Sequence, residues 1–270
     1  MTILINKNPI NVSIENEKNV DEFINGITFH LQKEKLLIQN IICDGNELSD
    51  KDLSMPIEHF SSYEFEVIPY HHYLSYAATR ILQLLEESKN GKLSKEKQEE
   101  LTALFEDLKN GLGLPKLAEF APLLSASAMP KLEEIDEIAK TVKNINEIVS
   151  APYQKLSEVK SKFEAFLNDE AKELAIKLQK GDVSKALEAI SDLLYNSFET
   201  LSTLFPVLKE NEANEITPFL TQIQPLISSV LDSYNNNDRV LFSDIVEYEL
   251  PPLLESFIEG VNHIQEQLES

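Results

Sequence analysis

Hydrophobic and polar positions near the start of the chain alternate with the period of two that is typical of β-strands. Ile3 and Ile5 stand two residues apart before a turn at residues 7–9, Lys-Asn-Pro. The same spacing returns after this turn at Ile10, Val12 and Ile14. The pattern predicts an N-terminal β-hairpin.

A helix and two further strands are predicted to follow the hairpin. Asn19 can cap a helix whose apolar positions recur at helical spacing. A strand is predicted at residues 36–43 before an Asp44-Gly45 turn, and an alternating strand at residues 63–68 follows a polar loop. The predicted order within residues 1–70 is therefore β-β-α-β-β. The apolar positions of the helix are Val20, Phe23, Ile24, Ile27 and Leu31.

This order of elements resembles the ubiquitin-like β-grasp, in which a hairpin cradles one helix and the last strand inserts between earlier strands. The resemblance concerns topology and rests on no sequence motif. It implies a small α+β domain that serves for docking or for capping a helical body. The chain continues through Pro69-Tyr70-His71-His72, where ubiquitin-type modifiers end in a free diglycine, so a conjugated modifier is not expected.

Beyond residue 70 the apolar spacing is helical, and no strand is predicted. Residues 71–130 are expected to hold short helices and a linker, because Pro115, Pro122 and Pro130 interrupt the helical pattern. Residues 131–270 are expected to form a helical bundle. The predicted fold class is α+β, with a small β-grasp-like N-terminal domain followed by a mainly α-helical bundle that contains a long heptad-patterned helix.

The most regular periodicity lies at residues 131–179, which are predicted to form that long helix. Apolar residues alternate three and four apart, as at the a and d positions of a heptad seam. Pro152 predicts either a kink or a division into two helices, and the spacing drifts after Phe166. The seam residues are Ile135, Ile138, Val142, Ile145, Val149, Pro152, Leu156, Val159, Phe163 and Phe166.

The last third of the chain is predicted to hold three or four further helices. Gly181-Asp182 is a stop and cap signal, and Asp238 is a second cap after an asparagine-rich turn. Residues 242–255, FSDIVEYELPPLLE, are similar to a segment of uncharacterised proteins of low-GC bacteria. This resemblance covers a short stretch and implies no activity.

Charge narrows the classes of partner that suit this fold. The chain has 270 residues and a net charge of -22, which disfavours binding to nucleic acids and to anionic membranes. The net charge is -7 over residues 1–70, -2 over residues 71–180 and -13 over residues 181–270. The acidity is therefore concentrated in the last third and favours a basic protein partner there.

Targeting signals and cysteine usage favour a cytoplasmic location. Cys43 is the single cysteine, and the N-terminal apolar run is broken by Asn6, Lys7 and Pro9 before it reaches the length of a signal segment. No window is apolar enough to predict a membrane span. Cys43 is expected to be a buried small hydrophobe.

Sequence signatures of catalysis are absent, so neither an enzymatic activity nor a cofactor is predicted. His71 and His72 could bind a metal, but an exposed linker pair is expected to be solvated. Glu255, Glu259 and His263 lie on one helix face, and a second helix with carboxylates would complete a divalent metal site. The Glu-x-x-His pattern of di-iron bundles is missing, so no metal site is predicted.

The predicted function is protein binding through the acidic helical region, as an adaptor, scaffold or chaperone-like protein. An apolar cleft rimmed by carboxylates would accept a basic or amphipathic segment, although an acidic face that only meets water has the same composition. Two alternatives stay open, a structural homo-oligomer that self-associates through the heptad face and a carboxylate-bridged metalloenzyme. The candidate partner-binding residues are Phe242, Asp244, Glu247, Tyr248, Glu249, Glu255 and Glu259.

Overall fold

The chain folds into two compact units, Met1–Ala77 and Ala78–Ser270. The structure is a computed structural model, and it describes residues 1–12, 17–91, 93–125, 130–171, 174, 176 and 183–269. The first unit contains a mixed five-stranded sheet, and the second unit is helical in its described part. The predicted α+β fold class is confirmed.

Two hairpins and a central last strand build the sheet of the first unit. The strands are β1 (Thr2–Ile5), β2 (Asn8–Ile10), β3 (Leu36–Cys43), β4 (Asn46–Glu47) and β5 (Ser62–Pro69). Their order is β2-β1-β5-β3-β4, and β1 and β5 are parallel while the other pairs are antiparallel. The last strand thus lies between the first and the third, as the β-grasp resemblance implied, and the likeness remains one of topology.

Helix α1 (Val20–Lys33) covers one face of this sheet with its predicted apolar side. Asn19 caps the helix as predicted, since its Oδ1 accepts a 2.9 Å hydrogen bond from the backbone N–H of Glu22. The Phe23 ring meets the Tyr63 ring edge-on, with their centroids 5.0 Å apart. The buried core of the unit consists of Ile3, Val20, Phe23, Ile27, Leu31, Cys43, Ile57, Tyr63, Phe65 and Val67.

The first hairpin turns one residue earlier than the sequence predicted. Asn6 and Lys7 both have positive φ angles, 48° and 68°, which are typical of a two-residue turn that matches the twist of the strands. Pro9 lies within β2 opposite Leu4. Because β2 is an edge strand, the missing N–H of this proline can face away from the sheet. Ile14 lies outside the described residues.

Asp44 fastens the loop that precedes β5. Its carboxylate accepts hydrogen bonds from the Ser61 hydroxyl at 2.7 Å and from the Ser62 backbone N–H at 2.8 Å. The bonds from Ser61, and then those from Ser62, lower the pKa of Asp44 to about 2, against a smaller opposing effect of desolvation. The segment expected to be an irregular loop is therefore partly ordered by local bonds. It also contains β4 and a 3-10 turn at Ile57–His59.

Three helices occupy the segment that was expected to hold short helices and a linker. They are α2 (Tyr70–Asn90), α3 (Lys95–Leu112) and α4 (Pro115–Ser125). Gly113 ends α3 in the left-handed conformation, with φ of 63°. Helix α4 has a buried apolar side, so Pro115–Ser125 form a packed short helix, and the predicted division at residue 130 stays a prediction. The buried residues of α4 are Leu117, Phe120, Ala121 and Leu124.

The predicted long heptad helix is divided. Helices α5 (Leu132–Val149) and α6 (Pro152–Ala165) are separated at Ala151, whose φ of -142° and ψ of 62° are not helical. A π-helical turn, Phe166–Glu170, follows at the point where the heptad spacing drifts. The predicted helix end and stop signal at residues 179–182 lie outside the described residues.

The heptad seam is buried inside the second unit. All of its residues are buried, including Pro152, which begins α6 where a missing N–H is tolerated. Both α5 and α6 contact helix α7 (Val183–Leu204), and α6 also contacts α10 (Leu250–Glu269). The chain's own helices therefore cover the seam residues.

Two more helices and a second π-turn complete the described chain. Helix α8 (Glu210–Asn235) is followed by α9 (Arg239–Asp244) and by a π-turn at Ile245–Glu249 that leads into α10. Asp238 caps α9 as predicted, through a 3.0 Å bond from a backbone N–H to its carboxylate. Among the helices that the structure describes, none has both the length and the apolar character needed to cross a bilayer.

An aromatic cluster joins α6, α8 and α10. The rings of Phe163, Phe219 and Phe257 meet pairwise, with centroid distances between 4.9 and 5.5 Å. Gly260 brings α10 against the backbone of α8, because a Cβ atom at this position would lie 2.6 Å from the carbonyl oxygen of Glu215. These contacts hold the middle of α10 against α6 and α8.

A buried carboxylate also connects α6 to α8. Glu212 is 3% exposed and accepts hydrogen bonds from the Lys209 backbone N–H at 2.9 Å and from the Tyr153 hydroxyl at 3.0 Å. Burial, and then the charge and hydrogen bonding of Glu212, raise the pKa of Tyr153. The phenol therefore stays protonated and donates a hydrogen bond to the Glu212 carboxylate, which would be costly to bury without a donor.

Candidate functional site

Six of the seven candidate partner-binding residues are exposed, and one is not. Phe242 is fully buried in α9, which contacts α8, so its ring is not available to a partner. Its role is instead to fill the core, because the apolar sides of the two helices face each other. The exposed candidates are Asp244, Glu247, Tyr248, Glu249, Glu255 and Glu259.

An open groove of about 540 Å³ lies between the two π-turns and the start of α10. Glu247, Tyr248 and Glu255 line this groove, and the other exposed candidates lie outside it. Glu164 and Asn168, from the end of α6 and the first π-turn, complete its polar rim. The structure therefore joins part of the predicted site to a segment that is distant in sequence. The apolar lining consists of Leu167, Ala171, Val246, Pro251 and Ile258.

Both walls of the groove are π-helical turns, which insert one additional residue into a helix and are frequent at functional sites. In the second turn the Leu250 N–H bonds to the Ile245 carbonyl, five residues earlier. In the first turn the Ala171 N–H bonds to the Phe166 carbonyl with the same spacing. The local widening gives the groove its two walls without a loop.

Two prolines after the second π-turn leave one backbone carbonyl without a helical donor. Within a helix, the Glu247 carbonyl would accept a bond from the N–H of residue 251 or 252, and both residues are prolines. The N–H of Leu250 is bonded to the Ile245 carbonyl. Both Glu247 and Pro251 line the groove.

The carboxylates of the groove differ in their surroundings. Glu164 pairs with Lys160 at 3.6 Å, and the Lys160 ammonium also donates to Gln265 at 3.3 Å. Glu247 and Glu255 form no ion pair with any residue that the structure describes. These two carboxylates therefore give the groove its negative potential.

Tyr248 is the aromatic residue of the groove and is 64% exposed. A hydrogen bond to the Glu247 carboxylate, and then the charge of that carboxylate, raise the pKa of the Tyr248 phenol. The exposed ring offers a face to an incoming group. An aromatic face beside carboxylates is suited to a cation.

Sequence reasoning missed the wall formed by Glu164, Leu167 and Asn168. These residues lie where the heptad pattern ends at Phe166. The drift of the pattern beyond that residue coincides with the first π-turn. The drift was the available signal for an irregular, functional stretch, but it does not indicate which distant segment the turn faces.

A second, smaller cavity of about 240 Å³ lies between α7 and α8. Its lining is mainly aliphatic, and Tyr195 and Leu231 stand at its edge with 67% and 45% of their surfaces exposed. Asp192 is the one carboxylate that lines it. This cavity offers shape without the converging polar groups that give a site its specificity.

The candidate metal ligands on α10 do not converge. His263 contacts Glu215 of α8, with 3.2 Å between Nδ1 and Oε2, whereas Glu255 lines the groove. Within the described ranges, no group of three or more His, Cys, Asp and Glu side chains is placed to hold a metal ion. The metalloenzyme alternative thus has no supporting geometry among these residues.

His71 and His72 lie in the first turn of α2 and not in an exposed linker, because β5 leads directly into this helix. The centroids of their rings are 4.4 Å apart. Burial, and then the charge of the neighbouring His72, lower the pKa of His71. Cys43 is buried, as expected, and burial together with Asp52 and Asp44 raises the pKa of its thiol to about 11. Neither position has the environment of an activated nucleophile.

Two family models match parts of the chain. Residues 1–69 match the model described as the TP0873 N-terminal domain, and residues 166–260 match a domain of unknown function, DUF8042. The second match begins at the first π-turn and ends beyond the second, so it includes nearly all of the groove. The likeness of the helical part to uncharacterised proteins is confirmed.

One relative is an uncharacterised protein of Treponema pallidum (strain Nichols), with 26% identity over 100 residues. The aligned part is 34% of this chain and 50% of the relative, so the chain spans about half the length of that protein. No solved structure matches the chain.

Proposed function

We propose that the groove is a docking site for a basic, amphipathic segment of a partner protein. The chain would then act by binding and not by catalysis, as an adaptor, scaffold or chaperone-like protein in the cytoplasm. The observation that supports this is a single groove with an acidic rim and an apolar lining. A basic side chain would meet Glu247 and Glu255 while an adjacent apolar side chain would lie against Ile258.

The size of the groove favours a segment over a folded surface. Its volume of about 540 Å³ is within the range of small-ligand sites and accommodates a few side chains. A helix that carries basic and apolar residues three or four positions apart presents such side chains on one stripe. The partner is therefore proposed to contribute a short helix or a segment that becomes helical when it binds.

The charge of the whole chain would assist this encounter. A net charge of -22, with -13 in residues 181–270, attracts cationic segments over distances comparable to the Debye length of about 10 Å at 0.1 M salt. Association should consequently become slower as the salt concentration rises. The apolar contacts within the groove should be less sensitive to salt.

The test uses the full chain and two synthetic amphipathic peptides, one with lysine and leucine and one with glutamate and leucine at the same positions. Fluorescence anisotropy is expected to detect binding of the lysine peptide alone. The double substitution Glu247→Lys with Glu255→Lys should weaken this binding by about tenfold or more, since two carboxylates become two cations.

The matched control is Glu249→Lys with Glu259→Lys. It changes the net charge by the same amount on the same π-turn and helix, but at exposed positions outside the groove. The control is expected to lose far less affinity. Equal losses in the two double variants would show that general acidity attracts the peptide, and absence of any binding would reject the proposal.

A further inference from the structure

The groove contains several acceptors that differ in kind and lie close together. Glu247 contributes a carboxylate. Glu255 contributes a second carboxylate, and the exposed ring of Tyr248 contributes an aromatic face. A cation that fills this groove must therefore satisfy acceptors in more than one direction and also lie flat against a ring.

We infer that the groove is an arginine-selective pocket, in which one guanidinium group stacks on Tyr248 and donates to Glu247 and Glu255. This inference rests on the proposed function and specifies the partner's anchoring residue. A guanidinium group has five N–H donors in one plane, it binds carboxylates through two parallel bonds, and it stacks on aromatic rings. A lysine ammonium is a compact and strongly hydrated charge that uses only some of these acceptors.

The lysine that pairs with Glu164 leaves the binding of an incoming cation to Glu247 and Glu255. Lys160 pairs with Glu164 at 3.6 Å and donates to Gln265 at 3.3 Å, and Gln265 in turn donates to the Ser157 hydroxyl at 2.9 Å. This chain of bonds holds Lys160 at the α6 side of the groove. Glu164 is partly neutralised there, so an incoming cation is attracted to the opposite wall.

The apolar lining suits the stem of the same side chain. Pro251, Ile258 and Leu167 border the groove beside the carboxylates. An arginine side chain carries three methylene groups, which can cover apolar surface while the charged head reaches the polar rim. One arginine therefore matches both the lining and the rim, and this match explains why the acidic residues surround an apolar centre.

The experiment compares three amphipathic peptides that differ only at their basic positions, which are arginine, lysine or the neutral arginine analogue citrulline. Each peptide is titrated into the full chain. We expect the arginine peptide to bind about five- to tenfold more tightly than the lysine peptide, because a bidentate, stacked cation uses more of the acceptors. The citrulline peptide keeps the shape without the charge and should bind at least tenfold more weakly than the arginine peptide.

Tyr248 provides a variant pair with a readout that a structural role would not change. The ratio of the arginine and lysine affinities should fall towards one in Tyr248→Leu, which lacks the ring, and should persist in Tyr248→Phe, which retains it. Tyr248 is exposed, so the fold should be maintained in both variants, and circular dichroism checks this.

The possible outcomes separate the two proposals. Equal affinity for the arginine and lysine peptides, with the groove variants still defective, overturns arginine selectivity and leaves the docking proposal intact. An arginine preference that survives Tyr248→Leu overturns the stacked geometry on which the inference depends. Failure of both basic peptides to bind, or equal binding of the citrulline peptide, overturns the docking proposal and the selectivity together.

Discussion

Asp44 illustrates how one side chain can stabilise a strained turn. Its φ of 48° is in the left-handed region, where aspartate and asparagine are tolerated better than most residues. Its carboxylate accepts bonds from both the hydroxyl and the backbone N–H of Ser61 and of Ser62. The same residue thus closes the β3–β4 hairpin and holds the beginning of β5.

The lowered pKa of Asp44 predicts a pH-dependent contribution to stability. Because the folded-state pKa of about 2 is below the usual value of about 3.9, this contribution is present above about pH 4 and is lost as the pH falls through 2. Asp44→Asn tolerates the same φ but lacks the charge. Urea unfolding should show the variant to be less stable than the wild type at pH 7, with a difference that shrinks between about pH 4 and pH 2.

Asp50, which is exposed in the same loop, provides the control for this prediction. Asp50→Asn should have a much smaller effect on the unfolding midpoint over the same pH range. A difference between wild type and Asp44→Asn that does not change with pH would contradict the assigned role of the carboxylate.

At the scale of single residues, the sequence predicted what local chemistry determines. Asn19 and Asp238 cap helices because a short polar side chain before an apolar-periodic run can accept a backbone N–H. The burial of Phe242 was not predictable, because its direction depends on where α9 lies against α8. Tyr248, only six positions later, is exposed.

At the scale of elements, the close contact between α8 and α10 depends on Gly260. A Cβ atom there would lie 2.6 Å from the backbone carbonyl oxygen of Glu215, and a backbone atom cannot move without moving α8. The nearby rings of Phe163, Phe219 and Phe257 pack the same three-helix junction. The position therefore needs glycine for space and not for backbone conformation.

We expect Gly260→Ala to lower the free energy of unfolding of the second unit by about 1–3 kcal/mol. Displacement of the α8 backbone should outweigh the helix preference of alanine. Thermal and urea unfolding of the full chain measure the change. The control is Gly91→Ala, since a Cβ atom at Gly91 would meet nothing within 4 Å. Similar unfolding midpoints for Gly260→Ala and the wild type would show that the helices can separate at little cost.

The periodicity of the chain predicted the elements better than their ends. The β3 strand was predicted at its observed bounds. The alternation of apolar and polar residues identified β1 and β5, because the face of the sheet that packs against α1 must be apolar. The division at Ala151 was one of two outcomes that Pro152 allowed. The π-turns were not predicted, since an i to i–5 bond is set by tertiary packing and changes the sequence pattern only slightly.

At the scale of the whole molecule, the first unit has an apolar core of its own. Its buried cluster runs from Ile3 to Val67 and combines four residues of α1 with five residues of β1, β3 and β5, and additional partly buried residues surround it. The match of residues 1–69 to a separate domain model agrees with this closed core. A domain of this length can fold alone when its core is well packed.

We therefore expect a fragment of residues 1–69 to fold without the helical unit. It should give a cooperative urea transition and a dispersed NMR amide spectrum. Phe23→Ala in this fragment removes a ring from the centre of the core and should cost about 3–5 kcal/mol, which would unfold it. Phe29→Ala is the control, because Phe29 lies on the same helix and is 58% exposed. A fragment with no cooperative transition would contradict the prediction.

Only part of the groove could be predicted, because its walls come from segments that are distant in sequence. Local acidity and an aromatic residue indicated Glu247, Tyr248 and Glu255, but the opposite wall comes from the end of α6 and the first π-turn. No periodicity along the chain specifies that these two segments approach each other. Contacts between distant segments depend on the packing of all the helices between them.

The second π-turn also makes the length of this segment as important as its composition. Each residue of an α-helix advances the side-chain direction by about 100°. The π-turn at Ile245–Glu249 already absorbs one additional residue, so deleting one residue there would allow ordinary helical bonding and leave Phe257 and Gly260 facing the core. An insertion would instead rotate α10 relative to α9, so we expect this segment to accept a deletion more readily than an insertion.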